Sequence, residues 1–288
     1  MNLKEENFNH PSILEAKQHL KSFKPNLALK TLDNIQNIRC LNTQDRGEYY
    51  VLKSNSLCKI NQYPLALDFA IQGLDYAKSL TDIKLILKTL VAKGTAEFRL
   101  GKSQECLETL QQLETVILEN LSPSSRDYDL AYEQYYMLAS FFYFHQGTTA
   151  KFLESNQKRL VICEKYHLIS ELGEVYHNLG IAYLYQGELL KSIRHYKKSM
   201  EIAKQTENYT QLAYCLGNTG KIYSELGELD LALDFYNQSL TILRKIKNDY
   251  VLGAFSNAIG EIYLQKGNFQ KSMDFYEQGY HIVKKLGN

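Results

Sequence analysis

The sequence has no tryptophan and only four prolines in 288 residues, so helix breakers are scarce along almost its whole length. Net charge is also nearly absent: 33 Lys and Arg against 32 Asp and Glu leave +1. Such a balance gives no field to draw the chain to nucleic acid or an anionic membrane. Long apolar runs are missing too. The stretch Tyr135 to Phe144 is the longest and contains Ser140, far short of the roughly 20 residues that span a bilayer. The start, MNLKEENFNHPS, lacks the basic end and apolar stretch of a secretory signal, so a cytoplasmic location is expected. Cysteines are few and unpatterned. Cys40, Cys58, Cys106, Cys163 and Cys215 are odd in number, widely spaced and without a CxxC pair, which encodes neither a disulfide framework nor a zinc knuckle. They are expected to be reduced and mostly buried. Against these absences stand 22 tyrosines and an ordinary 44% hydrophobic content, which excludes disorder for most of the chain.

Self-comparison reveals a period of forty. Gly180, Gly220 and Gly260 are each followed three residues later by Tyr183, Tyr223 or Tyr263, and seven later by Gly187, Gly227 or Gly267. Ser192, Ala232 and Ser272 fall in register, as do Tyr196, Tyr236 and Tyr276, then Ser199, Ser239 and Gly279. Going backwards, Ser140, Tyr143 and Gly147 keep the frame, although Phe152 and Asn156 replace the small residue and the tyrosine. Gly94, Gly101 and Cys106 form an earlier copy, Ser54, Asn61 and Ala66 another, and Ala16 and Ala28 a worn first one. Gly94 and Ser140 are six residues too far apart, which places an insertion in the turn-forming stretch Ser122 to Asp127. The chain thus reads as a single array: degenerate units over about 11–121, the insertion at about 122–127, and units over about 128–288 that match best from about 170.

Each unit splits at its middle glycine into two stretches with apolar residues at three- and four-residue steps, so each predicts two amphipathic helices. The middle glycines sit where the first helix must reverse, a place that favours positive φ. The small residues at Gly180 and Ser192 mark a close approach of two helix axes, with the tyrosines filling space on either side. The prediction is an all-α chain of about seven antiparallel helical hairpins. One hairpin cannot bury its own apolar face, so neighbours must stack.

The set of a small residue, Tyr three later, Gly seven later, a small residue twelve later and Tyr sixteen later, seen at Gly180, Tyr183, Gly187, Ser192 and Tyr196, resembles the tetratricopeptide repeat. The common unit has 34 residues; a unit of forty is similar to the variant in kinesin light chains, the LGN/Pins spindle adaptors and the Rap-type peptide-sensing regulators of bacteria. The resemblance implies a right-handed superhelical solenoid whose concave face, lined by each hairpin's first helix, holds a peptide or a partner's helix. On that basis the groove is lined by His177, Asn178, Ile181 and Tyr185 in the fifth unit, Tyr214, Asn218 and Lys221 in the sixth, and Asn257 in the seventh. The fourth unit contributes Met137, Phe141 and Phe144, and the third Arg99.

Asn178 and Asn218 occupy equivalent places before the packing glycines, and Asn257 lies one residue off that register. A carboxamide is donor and acceptor at once, so it can bracket the backbone of an extended peptide; the resemblance to peptide-sensing arrays implies that use. The same residues also read as solvated or capping amides. The rings between Tyr135 and Phe144 exceed what one hairpin needs, and helical spacing puts Phe141 and Phe144 opposite Phe142, so some are candidates for groove anchors and some for core. The repeated tyrosines are packing residues.

Enzyme-like signals do not hold. Ala96 to Ser103 misses a phosphate-binding loop because Ala96 stands where its first glycine is required. Cys163 and His167 are four apart, but two ligands without a second pair make no zinc site. Seven scattered histidines form no catalytic grouping. No metal, cofactor or catalytic residue is expected, and the partner is a protein or peptide, with neither nucleic acid nor membrane. No polar capping helix follows the last unit, which ends at Leu286-Gly287-Asn288. Two readings follow: an interaction scaffold that binds a peptide or helix of a partner protein in its groove, or a peptide-sensing array forming the N-terminal part of a longer signalling protein and controlling an attached effector. Were Asn288 the natural end, dimerisation through the last hairpin would cover its open face.

Overall fold

The computed structural model of the chain describes residues 10–285; Leu286, Gly287 and Asn288, and the start before His10, lie outside them. Among the described residues there are fourteen α-helices, one short 3-10 turn and no strand. They pair as hairpins: α1 (Pro11–Lys21) with α2 (Pro25–Asp33), α3 (Thr43–Lys59) with α4 (Tyr63–Ser79), and α5 (Ile83–Arg99) with α6 (Ser103–Asn120). Then follow α7 (Arg126–His145) with α8 (Thr149–Lys165), α9 (Ile169–Tyr185) with α10 (Leu189–Gln205), α11 (Tyr209–Glu225) with α12 (Leu229–Ile246), and α13 (Asp249–Gln265) with α14 (Phe269–Lys285). The chain forms two compact units, one ending at Ile162 and one beginning at Cys163 near the end of α8.

Local chemistry fixes both ends of the first helices. Asn42, Asp82, Ser125, Asn208 and Asn248 each accept a hydrogen bond from a backbone N–H three residues on, capping α3, α5, α7, α11 and α13. At the other end the chain reverses through Gly101, Gly147, Gly187, Gly227 and Gly267, all at φ between 66° and 78°, and through Asn61 in the second hairpin. Three of the four prolines stand in the first turn of α1, α2 or α4, where no N–H is missed. The extra residues between the third and fourth units are spread out: the turn is only 121–125, Arg126 and Asp127 already belong to α7, and α7 has 20 residues against the usual 17.

In the second unit the repeating columns are contacts. Ser192 Oγ donates to the Gly180 carbonyl at 2.7 Å and Ser272 Oγ to that of Gly260 at 2.8 Å. A methyl group added at Gly180 would lie 2.5 Å from Tyr196 Cε1, so only glycine lets α9 and α10 come this close. Tyr183 stacks on His195, Tyr223 on Phe235 and Tyr263 on Phe275, at 5.1, 5.3 and 5.7 Å. Further along each hairpin Ser199 Oγ donates to the Gly173 carbonyl and Ser239 Oγ to that of Ala213. The core of α11 to α14 gathers Leu233, Tyr236, Leu240, Leu252 and Ile259.

In the first unit, Leu57, Ala66, Leu67 and Ala96 form one buried cluster, and Leu74, Leu87, Leu90, Leu113 and Ile117 another. Phe152 and Asn156, the departures from the repeat in the fourth hairpin, are both buried, and Asn156 Nδ2 donates to the Phe152 carbonyl at 2.8 Å.

Candidate functional site

The second unit presents α9, α11 and α13 side by side, and the candidate residues there fall into three environments. His177, Asn178 and Asn218 come together. His177 is half-buried on α9, with its Nε2 3.4 Å from Asn218 Nδ2 on α11, and it interacts with the carboxamide of Asn178. Its ring also lies 5.8 Å from Tyr196 and 6.4 Å from Tyr214. Burial, opposed by Glu174 and Asn178, drives the imidazole down to about 4, so it is neutral near pH 7. Asn178 is 7% exposed, whereas Asn218 is half-buried. Tyr214 is held from the next hairpin, since Asn248 Nδ2 donates to its hydroxyl at 3.1 Å.

Beneath this group stands a residue that the sequence pattern marks only as packing. Tyr196 reaches from α10 past Gly180, with its ring fully buried. Its hydroxyl lies near Asn218 and near Ser192, whose Oγ is committed to the Gly180 carbonyl, and itself makes no hydrogen bond. Burial raises its pKa above the ordinary phenol value. Nothing in the repeat column distinguishes Tyr196 from Tyr236 or Tyr276; the signal lies in its neighbours, because His177 and Asn218 are Gly217 and Ala258 one unit later.

The remaining second-unit candidates are elsewhere. Ile181 packs with Tyr196, Cys215 and Ile222 as part of the core. Tyr185 is 64% exposed, and Lys221 is exposed with Glu225 at 3.9 Å. Asn257 is exposed on α13 and lies over Gly279 of α14, and it does not line up with Asn178 and Asn218. Phe269, Met273 and Tyr280 on α14 are exposed as well.

In the first unit, Phe98 on α5 stacks on Phe141 of α7 at 5.9 Å and meets the edge of His145 at 4.5 Å. Arg99 is exposed, its guanidinium 5.7 Å from the Phe98 ring. Met137 is half-buried. Phe144 turns instead toward the second helix of its hairpin, 5.2 Å from Phe152. The positive charge of Lys88 is answered by Glu48, which also meets Lys17 at 3.4 Å.

The chemistry of the thiols is muted: burial pushes Cys58 up to about 11 and Cys106 and Cys215 up to about 12. The stretch Ala96 to Ser103 forms the end of α5 and its reversal at Gly101. Cys163 is buried in α8 while His167 lies past the end of that helix. No group of three or more His, Cys, Asp or Glu among the described residues is placed to hold a metal ion. No helix among them is long and apolar enough to cross a membrane.

Two family models, both described as tetratricopeptide repeat, match residues 171–245 and 255–280. A search of curated protein sequences finds no match. Among solved structures, a Rap protein complexed with competence and sporulation factor is similar with a TM-score of 0.70 and 14% identity, over 96% of this chain and 76% of that one. The Rap conjugation gene regulator of plasmid pLS20 in complex with the Phr* peptide gives 0.67 and 14%, over 96% and 73%. BtubC (BKLC) from P. vanneervenii gives 0.64 and 15%, over 77% and 91%. At such identities the likeness is one of fold.

Proposed function

We propose that this chain, a repeat protein of the tetratricopeptide type, is a non-catalytic scaffold that holds an extended peptide of a partner protein against the first helices of its hairpins. The observation that carries this reading is the polar group His177, Asn178 and Asn218, contributed by two adjacent first helices and joined by the 3.4 Å contact between α9 and α11. Carboxamides can pair with both the N–H and C=O of an extended backbone, and a neutral imidazole adds a further donor or acceptor. Likeness in fold to a Rap regulator solved with the Phr* peptide, and to a Rap protein solved with competence and sporulation factor, supports a peptide over a partner's helix. The same likeness supports a second reading, in which the peptide is a signal and the array controls an attached effector. Thiols held protonated by burial speak for binding and against nucleophilic chemistry.

The test is capture from a lysate of the source organism with the wild-type chain and with Asn178→Ala/Asn218→Ala, both shown by circular dichroism to be folded. The proposal requires a bound protein or peptide that the double variant loses. The same catch in both would remove the groove from the account.

A further inference from the structure

The group around Tyr196 differs from its counterpart one repeat later in a way that sequence periodicity does not require. At the α11–α12–α13 junction the equivalent places hold Gly217, Tyr236 and Ala258, and Phe255 fills the space against Gly217. That junction is apolar, and Tyr236 is simply a core ring. At the α9–α10–α11 junction the same places hold His177, Tyr196 and Asn218. Here His177 and Asn218 are half-buried, and so reach the surface, while the Tyr196 hydroxyl beneath them is buried without a partner. Buried polar groups in folded proteins are almost always paired, and an orphan calls for an explanation.

We infer that His177, Asn218 and the Tyr196 hydroxyl form a specificity pocket that takes one short, uncharged hydrogen-bonding side chain of the bound peptide: a carboxamide or a hydroxyl. The inference rests on the peptide-binding reading above and adds which residue chemistry the peptide carries at this point. All three groups offer hydrogen bonds and none offers charge. The imidazole is neutral across the physiological range because burial opposes its protonation. A carboxylate entering would lose its hydration, find no positive charge and meet the field of Glu174, which already acts on His177. An aliphatic side chain would leave the hydroxyl and the carboxamide unpaired, which is how sites built for hydrogen bonding reject analogues that lack the group. Displacement of the Asn218 carboxamide by the incoming group brings that group to the Tyr196 hydroxyl, which lies beside Asn218. Glu174 on α9 is the acidic group that acts on His177, and Lys221 on α11 faces Glu225 at 3.9 Å.

The test uses the full chain and a phage-displayed library of random heptapeptides, followed by anisotropy titration of the enriched peptides. Enrichment of Asn, Gln, Ser or Thr at one fixed position is expected, and exchanging that residue for Asp or Val should weaken binding tenfold or more. Tyr196→Phe removes only the unpartnered hydroxyl, so it should fold as well as wild type and lose most of that preference; Asn218→Ala should lose it too. Peptides that bind and are lost on Asn178→Ala, but show no uncharged polar preference or keep it in Tyr196→Phe and Asn218→Ala, overturn the pocket and leave the groove standing. Enriched peptides indifferent to all these variants, or no enrichment at all, overturn both.

Discussion

Glu133 and Arg159 form an ion pair across the α7–α8 hairpin, 2.6 Å apart and each 1% exposed. They occupy the places that Gly173 and Ser199 hold in the next hairpin, where the serine hydroxyl donates to the glycine carbonyl at 2.8 Å. In the preceding hairpin the same two places are Leu87 and Leu113, both buried. One position in the repeat is therefore closed by a hydrogen bond, by apolar contact or by a desolvated charge pair.

This exchange predicts an asymmetry. Glu133→Ala or Arg159→Ala leaves one charge buried without its main partner and should cost about 3–5 kcal/mol. Glu133→Leu/Arg159→Leu, which copies the preceding hairpin, should recover most of that loss. Urea denaturation of the three variants checks it; a double variant as unstable as the singles would contradict the account.

The close approach of α9 and α10 makes Gly180 intolerant of a side chain. Gly180→Ala forces its methyl against Tyr196 and should cost about 1–3 kcal/mol. Gly253→Ala meets Ile282 Cγ2 at 3.3 Å, a side-chain end that needs to give only a few tenths of an ångström, and should change stability by no more than about 1 kcal/mol. Thermal unfolding of both variants separates them.

Backbone conformation gives a third prediction. Gly227 reverses the sixth hairpin at φ 78°, with open space around its Cα, so Gly227→Ala should lose about 1–2 kcal/mol from strain alone. Lys247 adopts φ 56° between hairpins, and Lys247→Gly should gain up to about 1 kcal/mol. Equal destabilisation by both substitutions would contradict this.

His177 predicts a pH dependence. Its pKa is lowered from the ordinary 6.5 to about 4 by burial, so between those values the unfolded chain binds a proton that the folded chain does not. Stability must then fall as pH drops from 6.5 towards 4. His195, also lowered by burial and by Lys198 and Arg194, acts in the same direction. Denaturant titrations at pH 7, 5.5 and 4.5 should show a shallower loss in His177→Gln, with part of the slope remaining; an unchanged slope would exclude His177 as its source.

The hairpins were legible because their determinants recur: Gly180, Tyr183, Gly187 and Ser192 each make a contact or a turn that every good copy must repeat. The insertion was less legible, since a turn-rich stretch such as Ser122 to Asp127 does not reveal that its last two residues begin α7. Glu133 and Arg159 left no signal, because their column varies from Gly and Ser to Leu and Leu, and charges in an amphipathic helix read as solvated. At the candidate site the place of Asn218 could be read, but its nearness to His177 depends on how adjacent first helices pack. Asn257, one residue off register, turns about 100° away on a helix and meets Gly279. The unpaired hydroxyl of Tyr196 was hidden because packing already accounts for its ring.

The central claim is that the first helices of the second unit form the binding surface. Hydrogen–deuterium exchange of the full chain, with and without a peptide selected from the heptapeptide library, tests it most directly. The account predicts added protection in α9 and α11, centred on residues 174–185 and 214–225, with α10 and α12 unchanged. Protection confined to α10, α12 or α14 would contradict it.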